Sequence, residues 1–535
     1  MRYVRPSRAK DLLTAKEEIA FIDVREHGQY GEGHPFFAVN LPYSRLEMSV
    51  SSLLPSKTVR ILLLDDNDGI AEKAATRLAA LGYDDVCILE AGALAWEDAG
   101  HTLFKGINVP SKAFGEMVEH AMSTPSITVE ELQARRRDGS NLILLDGRSP
   151  REFRSMNIPG ALSCPNAELP HRLPALAGDP ETIIVVNCAG RTRSIIGAQS
   201  LLNLHPANEI YALQNGTQGW CLAGLELQRG SDPGEVPKLD EIALAISRDR
   251  AATLMSRFGI PQIDLDTLAS WQEDETRTLY LFDVRTVEEY SAGHFAGAAH
   301  APGGQLVQAT DQCIVVRGAR IVVSDDTGLR AANTALWLRG MGHDVAVLRH
   351  DASTCNTRVE PRQVEISMNL PVITGDELTD RLPSGAVLLD LSPGVAYRAA
   401  HIENSIWAIR PRLDALHIST EHEVILASRT AAVAELAAID LRENGLTRIS
   451  RLDGTLDDWR KAGLAIVASS DQPREEDCID FLFFVHSRHE GDLEASRRYL
   501  EWEVNLLKQV DAQELSTLNP PAVRRPWNYR ASTPR

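Results

Sequence analysis

One stretch of this 535-residue chain sets a soft nucleophile among fixed positive charges: Cys188, Ala189, Gly190, Arg191, Thr192, Arg193 and Ser194 in succession. The thiolate, not the thiol, is the attacking species, and a free thiol with a pKa of about 8.5 is mostly protonated at neutral pH. This stretch carries what a thiolate needs. Arg191 and Arg193 bring charge that does not titrate away. Gly190 supplies the freedom for a tight backbone curl. Thr192 and Ser194 can donate hydroxyl hydrogen bonds inward. Together Ala189, Gly190, Arg191, Thr192, Arg193 and Ser194 form a candidate cradle for an anion held against Cys188. The chemistry on offer is covalent transfer through one sulfur in two steps, with ping-pong kinetics.

Such a loop has to be held between rigid elements. The run at 183–186, Ile-Ile-Val-Val, reads as a buried strand, and a helix is expected after the loop. Between a strand and a helix, backbone N–H groups can converge on the sulfur as a nest, aided by the helix N-terminus. Ligands of parallel sheets bind outside the carboxyl ends of the strands, where this loop lies.

The same plan recurs along the chain. An apolar run ending in Asp, then a turn, then an aromatic-containing helix start occurs at Asp23, Asp146, Asp283 and Asp390. Arg25, Arg148 and Arg285 complete an Asp-x-Arg turn in the first three copies, and Ser392 replaces the arginine in the fourth. A β-rich run, a loop and an Ala/Leu-rich helix follow each copy. Three copies close on a tryptophan, Trp96, Trp220 and Trp459; the third copy has none. Continuous apolar strands alternating with amphipathic helices argue for parallel sheets covered on both faces. Linkers are expected near 106–125, 230–260 and 356–372.

The Asp-x-Arg turn, the strand–Cys–loop–helix and the Asn-Gly-x-x-x-Trp ending together resemble rhodanese (thiosulfate sulfurtransferase) domains. The resemblance covers residues 5–468 as four copies and is densest in the second. It implies an α/β fold of four tandem rhodanese-like domains, each a central parallel sheet flanked by helices, with a short helical C-terminal tail. The expected divisions are 1–106, 122–230, 255–358 and 370–468, with a helical and flexible tail at 469–535. Letter-by-letter matching puts Asp66, Asp325 and Ser428 at the position of Cys188. A carboxylate in the cradle repels an anion and cannot carry sulfur, and Ser428 lacks a base, so units 1, 3 and 4 are expected to be inactive.

The resemblance implies a sulfurtransferase. Cys188 would take sulfane sulfur from an anionic donor such as thiosulfate, or from a persulfide, and pass it to a thiol or cyanide. No metal or organic cofactor is expected. Asp146 and Arg148 support the loop, either by tuning it or by capping a helix and pinning a strand end; recurrence of the pair in units lacking Cys favours pinning. Three rival readings stay open. A Cys-dependent phosphatase or arsenate reductase also cradles an oxyanion, but its loop runs Cys, five residues, Arg, whereas Cys188 and Arg193 enclose four. A sulfur carrier or sensor would receive persulfide from a partner protein docked on the other units. An inert buried cysteine is the third.

The remaining features are quieter. The 55 Lys and Arg against 74 Asp and Glu give a net charge of −19, which disfavours nucleic-acid and anionic-membrane partners. Seven widely spaced cysteines with no Cys-x-x-Cys suggest neither a zinc ribbon nor a disulfide framework. The N-terminus shows no secretory-type apolar region, so a cytoplasmic location is expected. Cys164 and Cys221 could resolve a persulfide, with ordinary packing the favoured reading. Trp220 is expected to fill its own core. Ala495, Tyr499, Trp502, Leu506 and Val510 mark one face of a tail helix, which packs on a rhodanese-like unit or on a second subunit, leaving a homodimer open. Cys478, His486 and His489 lack the spacing of a metal site.

Overall fold

The apolar runs that end in the repeated aspartate are buried along nearly their whole length, and each becomes a central strand. The structure, a computed structural model, describes residues 1–350, 357–358, 369–486, 488 and 491–522. Four sheets are built on one plan. In the second unit the order is Ser126–Ile127, Ile210–Leu213, Ile183–Asn187, Leu142–Asp146 and Leu162–Ser163, all parallel. The third unit repeats it with Gln262–Ile263, Asp344–Leu348, Arg320–Ser324, Leu279–Asp283 and Ala299–His300. The fourth uses Val372–Ile373, Ile449–Leu452, Val424–Ala427, Val387–Asp390 and Ile406–Trp407. The first sheet gains an extra strand from the third unit, Val316–Arg317, antiparallel to Ile19–Asp23. The α/β class and the tandem arrangement expected from the sequence are what the chain adopts.

Strand register corrects one expectation. Asp146 lies opposite Asn187, Asp283 opposite Ser324, Asp390 opposite Ala427 and Asp23 opposite Leu64. The residue after each partner is therefore the counterpart of Cys188. In units 3 and 4 this is Asp325 and Ser428, as expected, but in unit 1 it is Asp65, not Asp66. Hydrogen bonding agrees: the Ala93 N–H donates to the Asp65 carbonyl just as the Thr217 N–H donates to the Cys188 carbonyl. Two adjacent aspartates follow the strand in unit 1, so matching letters could not choose between them; strand pairing does.

Two of the expected linkers are not irregular chain. Val109–Met122 and Glu241–Phe258 are helices. Pro110 sits in the first helical turn, where a proline costs no hydrogen bond and starts a helix rather than breaking one. The helix Val109–Met122 packs on Thr192–Leu202, the helix that follows the Cys188 loop.

One continuous apolar core runs through the first three units and takes in Leu506, Val510 and Leu518 of the tail. The fourth unit has its own cores and meets the first through buried charge. Arg410 binds Glu47 at 2.7 and 2.9 Å and Asp440 at 2.9 Å, and the Tyr43 hydroxyl donates to Asp440 at 2.9 Å. Among the described residues no helix is long and apolar enough to cross a membrane.

Candidate active site

Cys188 follows the strand Ile183–Asn187 directly and is 2% exposed. Its Sγ lies 3.3 Å from Ser194 Oγ, whose hydroxyl donates to the Arg191 carbonyl at 2.9 Å. The loop then enters the helix Thr192–Leu202. Its back is fastened to the Asn215–Gly216 turn. The Thr217 N–H donates to the Cys188 carbonyl at 2.8 Å, and the Gln218 backbone and side-chain N–H groups both reach the Ala189 carbonyl at 3.1 Å. Gly216 has φ +51, and a β-carbon there would overlap the Cys188 carbonyl. The Asn-Gly of the closing motif is thus a close approach only glycine permits.

The two arginines of the loop have different fates. Arg193 binds both oxygens of Glu152 at 2.8 Å. Burial alone would raise the Glu152 carboxyl, but Arg193, with Ser149 and Arg148, outweighs it and holds the group well below the usual carboxylate range. Arg191 departs from expectation. Its guanidinium binds Glu116 at 2.7 and 2.9 Å and also Glu119, so its charge is matched by two carboxylates of the helix Val109–Met122. Thr192 departs as well: its hydroxyl donates to Glu503 at 2.9 Å rather than toward the sulfur.

Arg148 is bound to Asp146 at 2.9 and 2.7 Å and to the Met156 carbonyl at 2.6 Å. Arg25 with Asp23 and Gly33, and Arg285 with Asp283 and Gly293, repeat this arrangement. The pair pins the strand end to the turn after the short helix in each of these three units. In the second unit Asn187 joins it, donating to Asp146 at 3.1 Å.

A cavity of about 730 Å³ covers Cys188, walled by Arg148 and Arg193, by Gln308 of the third unit, and by Lys112, Tyr499 and Glu503. The sequence placed none of the last three at this site, although it put Tyr499 on the apolar face of the tail helix. Lys112 comes from the helix read as linker. Its Nζ donates to the Ile107 carbonyl and lies 5.3 Å from the Trp502 ring. Burial brings its pKa down to about 7, against the attraction of Glu503. Glu503 and Tyr499 come from the tail helix Leu493–Val504, whose face packs within this chain. The signal for Glu503 was present: it falls four residues after Tyr499, so a carboxylate interrupts an apolar stripe.

The other cysteines are placed too. Cys164 is buried and its thiol is pushed well up by burial; burial also raises Cys221. Neither lines the cavity, whereas Cys313 does, with a thiol raised by burial to about 11. Trp220 donates to the Glu226 carbonyl at 3.0 Å within its own core. His489 lies outside the described residues, and among those described no cluster could hold a metal ion.

In units 1 and 3 a carboxylate fills the place of the sulfur. Asp65 accepts from the Asn67 and Ala71 N–H groups at 2.9 and 3.0 Å. Asp325 accepts from Thr327 and Ala331 at 3.4 Å each. The loop amides there are already taken up by a carboxyl group of the chain itself.

A profile described as Rhodanese-like domain matches residues 5–99, 128–223 and 264–352, more than half of the chain. A crystal structure of a thiosulfate sulfurtransferase from Pseudomonas aeruginosa is 38% identical, covers 97% of this chain and 99% of its own, and superposes with a TM-score of 0.88. An HTH-type transcriptional regulator of Mycobacterium tuberculosis is 35% identical over 109 residues, 20% of this chain. The chain spans about half the length of that relative, 47%. With the profile on three of the four repeated sheets and full-length likeness to a solved structure, the chain belongs to the rhodanese-like domain family.

Proposed function

We propose that the chain is a sulfurtransferase working through a persulfide on Cys188. One observation carries this reading: of four equivalent loop positions only Cys188 offers a thiol, and it alone lies under a cavity walled by Arg148, Arg193 and Lys112. The Cys188 thiolate attacks the outer sulfur of thiosulfate or a similar anion. The sulfur–sulfur bond of the donor breaks and its electron pair leaves with sulfite. A thiol or cyanide then takes the outer sulfur, and the electron pair of the persulfide bond returns to Cys188. The full-length likeness to a thiosulfate sulfurtransferase supports the same donor class.

The loop amides are the anion-holding elements, with Arg193, paired to the single carboxylate of Glu152, adding positive charge at the cavity wall and Gly190 leaving room at the curl. Arg191 also lines the cavity, but its guanidinium is taken up by Glu116 and Glu119, through which it braces the loop. Units 1, 3 and 4 are inactive in sulfur transfer and serve as walls and supports. The test is the release of sulfite from thiosulfate by the purified chain. Cys188→Ser should release none; sulfite release by that variant at a wild-type rate would end the proposal.

A further inference from the structure

The tail helix brings an acid into the Cys188 site that the loading step does not require. Glu503 is 2% exposed. Its Oε1 accepts the Thr192 hydroxyl, while its Oε2 is buried and no donor among the described residues reaches it. That second oxygen lies against the loop, where a β-carbon on Gly190 would sit 3.0 Å from it. A buried carboxylate with an unmatched oxygen is costly, and its charge repels the anion on which loading depends. Bracing Thr192 needs only one oxygen. Glu503 is among the residues that line the cavity over Cys188.

The charged and titratable groups around Glu503 come from every neighbouring element. They are Lys112 and Glu116 of the helix Val109–Met122, Arg191 of the loop, and Tyr499 of the tail, with Arg193 and Arg488 acting on Lys112 and Tyr499 in turn. Lys112, brought down by burial to about 7, is attracted by Glu503.

The second half-reaction has a proton to move. After loading, the outer sulfur on Cys188 is anionic, and an acceptor thiol must itself become a thiolate to attack it. Two anions repel at contact. Resting on the sulfur-transfer reading above, we propose that Glu503 is a catalytic residue of the second half-reaction, carrying the proton of a neutral acceptor thiol to the transferred sulfur. The Glu503 carboxylate takes the proton from the acceptor S–H and gives it to the outer sulfur. The acceptor thiolate bonds to that sulfur, the bond to Cys188 Sγ breaks, and its electron pair returns to Cys188. The product is the acceptor persulfide, with no oxidant or reductant consumed. The acceptor class is a neutral thiol of ordinary pKa.

The test separates the two half-reactions in the full-length chain. Loading is followed by sulfite release from thiosulfate, and discharge by rapid mixing with 2-mercaptoethanol or with the far more acidic aryl thiol thionitrobenzoate. Glu503→Gln keeps the size and the Thr192 contact, and Glu503→Asp keeps the charge. For Glu503→Gln the ratio of discharge to loading with 2-mercaptoethanol should fall about 100-fold near neutral pH, the low end for general acid–base catalysis. The deficit should shrink as pH approaches the pKa of the thiol and be small with the aryl thiol, and Glu503→Asp should recover part of it. Equal losses in both half-reactions, or a deficit indifferent to pH and thiol acidity, would reduce Glu503 to a brace and overturn the proposal. A wild-type chain that releases no sulfite would remove the sulfur-transfer reading itself and this proposal with it, a failure visible in loading alone.

Discussion

Gly216 lies directly against Cys188: the space for its β-carbon is occupied by the Cys188 carbonyl oxygen. The closing Asn-Gly motif thus sets the height of the loop that presents the sulfur. Gly216→Ala must lift the loop and also place alanine at φ +51. The backbone term alone costs about 1–2 kcal/mol. Sulfite release should fall at least about tenfold, with a lowered thermal midpoint. Wild-type rates in this variant would mean the loop height is unimportant.

Arg193 and Arg191 should separate activity from stability. Arg193→Ala removes a charged group from the wall of the cavity and should slow loading about 10²–10³-fold. Arg191→Ala leaves Glu116, 1% exposed, without its cation, and should destabilise the chain by about 3 kcal/mol with a smaller loss of rate. Parallel measurements of loading rate and thermal midpoint on both variants decide this. The opposite ranking would show that Arg191, not Arg193, holds the donor.

Lys112 gives a pH signature. Its ammonium falls from the ordinary 10.5 to about 7 on folding, because burial penalises the charge. Between those values the unfolded chain binds the extra proton, so this group disfavours folding most below about pH 7 and is relieved as pH rises toward 10.5. Lys112→Met should therefore raise the thermal midpoint relative to wild type near pH 6, with the gap closing toward pH 10. A gap that widens with pH would mean that Lys112 is stabilised as a cation.

Restoring a thiol in the other units should not restore sulfur loading. In a Cys188→Ser background, Asp65→Cys is followed by Asp66, Asn67 and Asp68, with no arginine. Asp325→Cys has Arg330 nearby, but that guanidinium is already bound by Glu168 at 3.0 Å and Asp326 at 2.6 Å, and by Glu289. Mass spectrometry after thiosulfate should find no added sulfur on either introduced thiol. Loading at either of them would show that a thiol after the central strand suffices.

The sequence exposed the parts of the fold that depend on local pattern. Buried apolar strands, the Asp-x-Arg turn and the Asn-Gly close approach each have a short-range signature. Asp65 was missed because its position is fixed by pairing with the strand Ile19–Asp23, and Asp66 beside it matches as well in letters. The helix Val109–Met122 was missed because Pro110 was taken as a breaker, although it stands in the first turn. Lys112, Glu116 and Glu119 were lost with it. Glu503 reaches Thr192 from 311 residues away; its place on an apolar stripe was legible, its destination was not.

The most direct measurement is the location of transferred sulfur among the seven cysteines. The purified chain is incubated with thiosulfate, digested without reductant and mapped by mass spectrometry. One added sulfur should be found on the peptide holding Cys188, lost on addition of a thiol and absent in Cys188→Ser. Sulfur on Cys221 or Cys313 with Cys188 unmodified, or undiminished loading of the Cys188→Ser chain, would refute persulfide chemistry at Cys188.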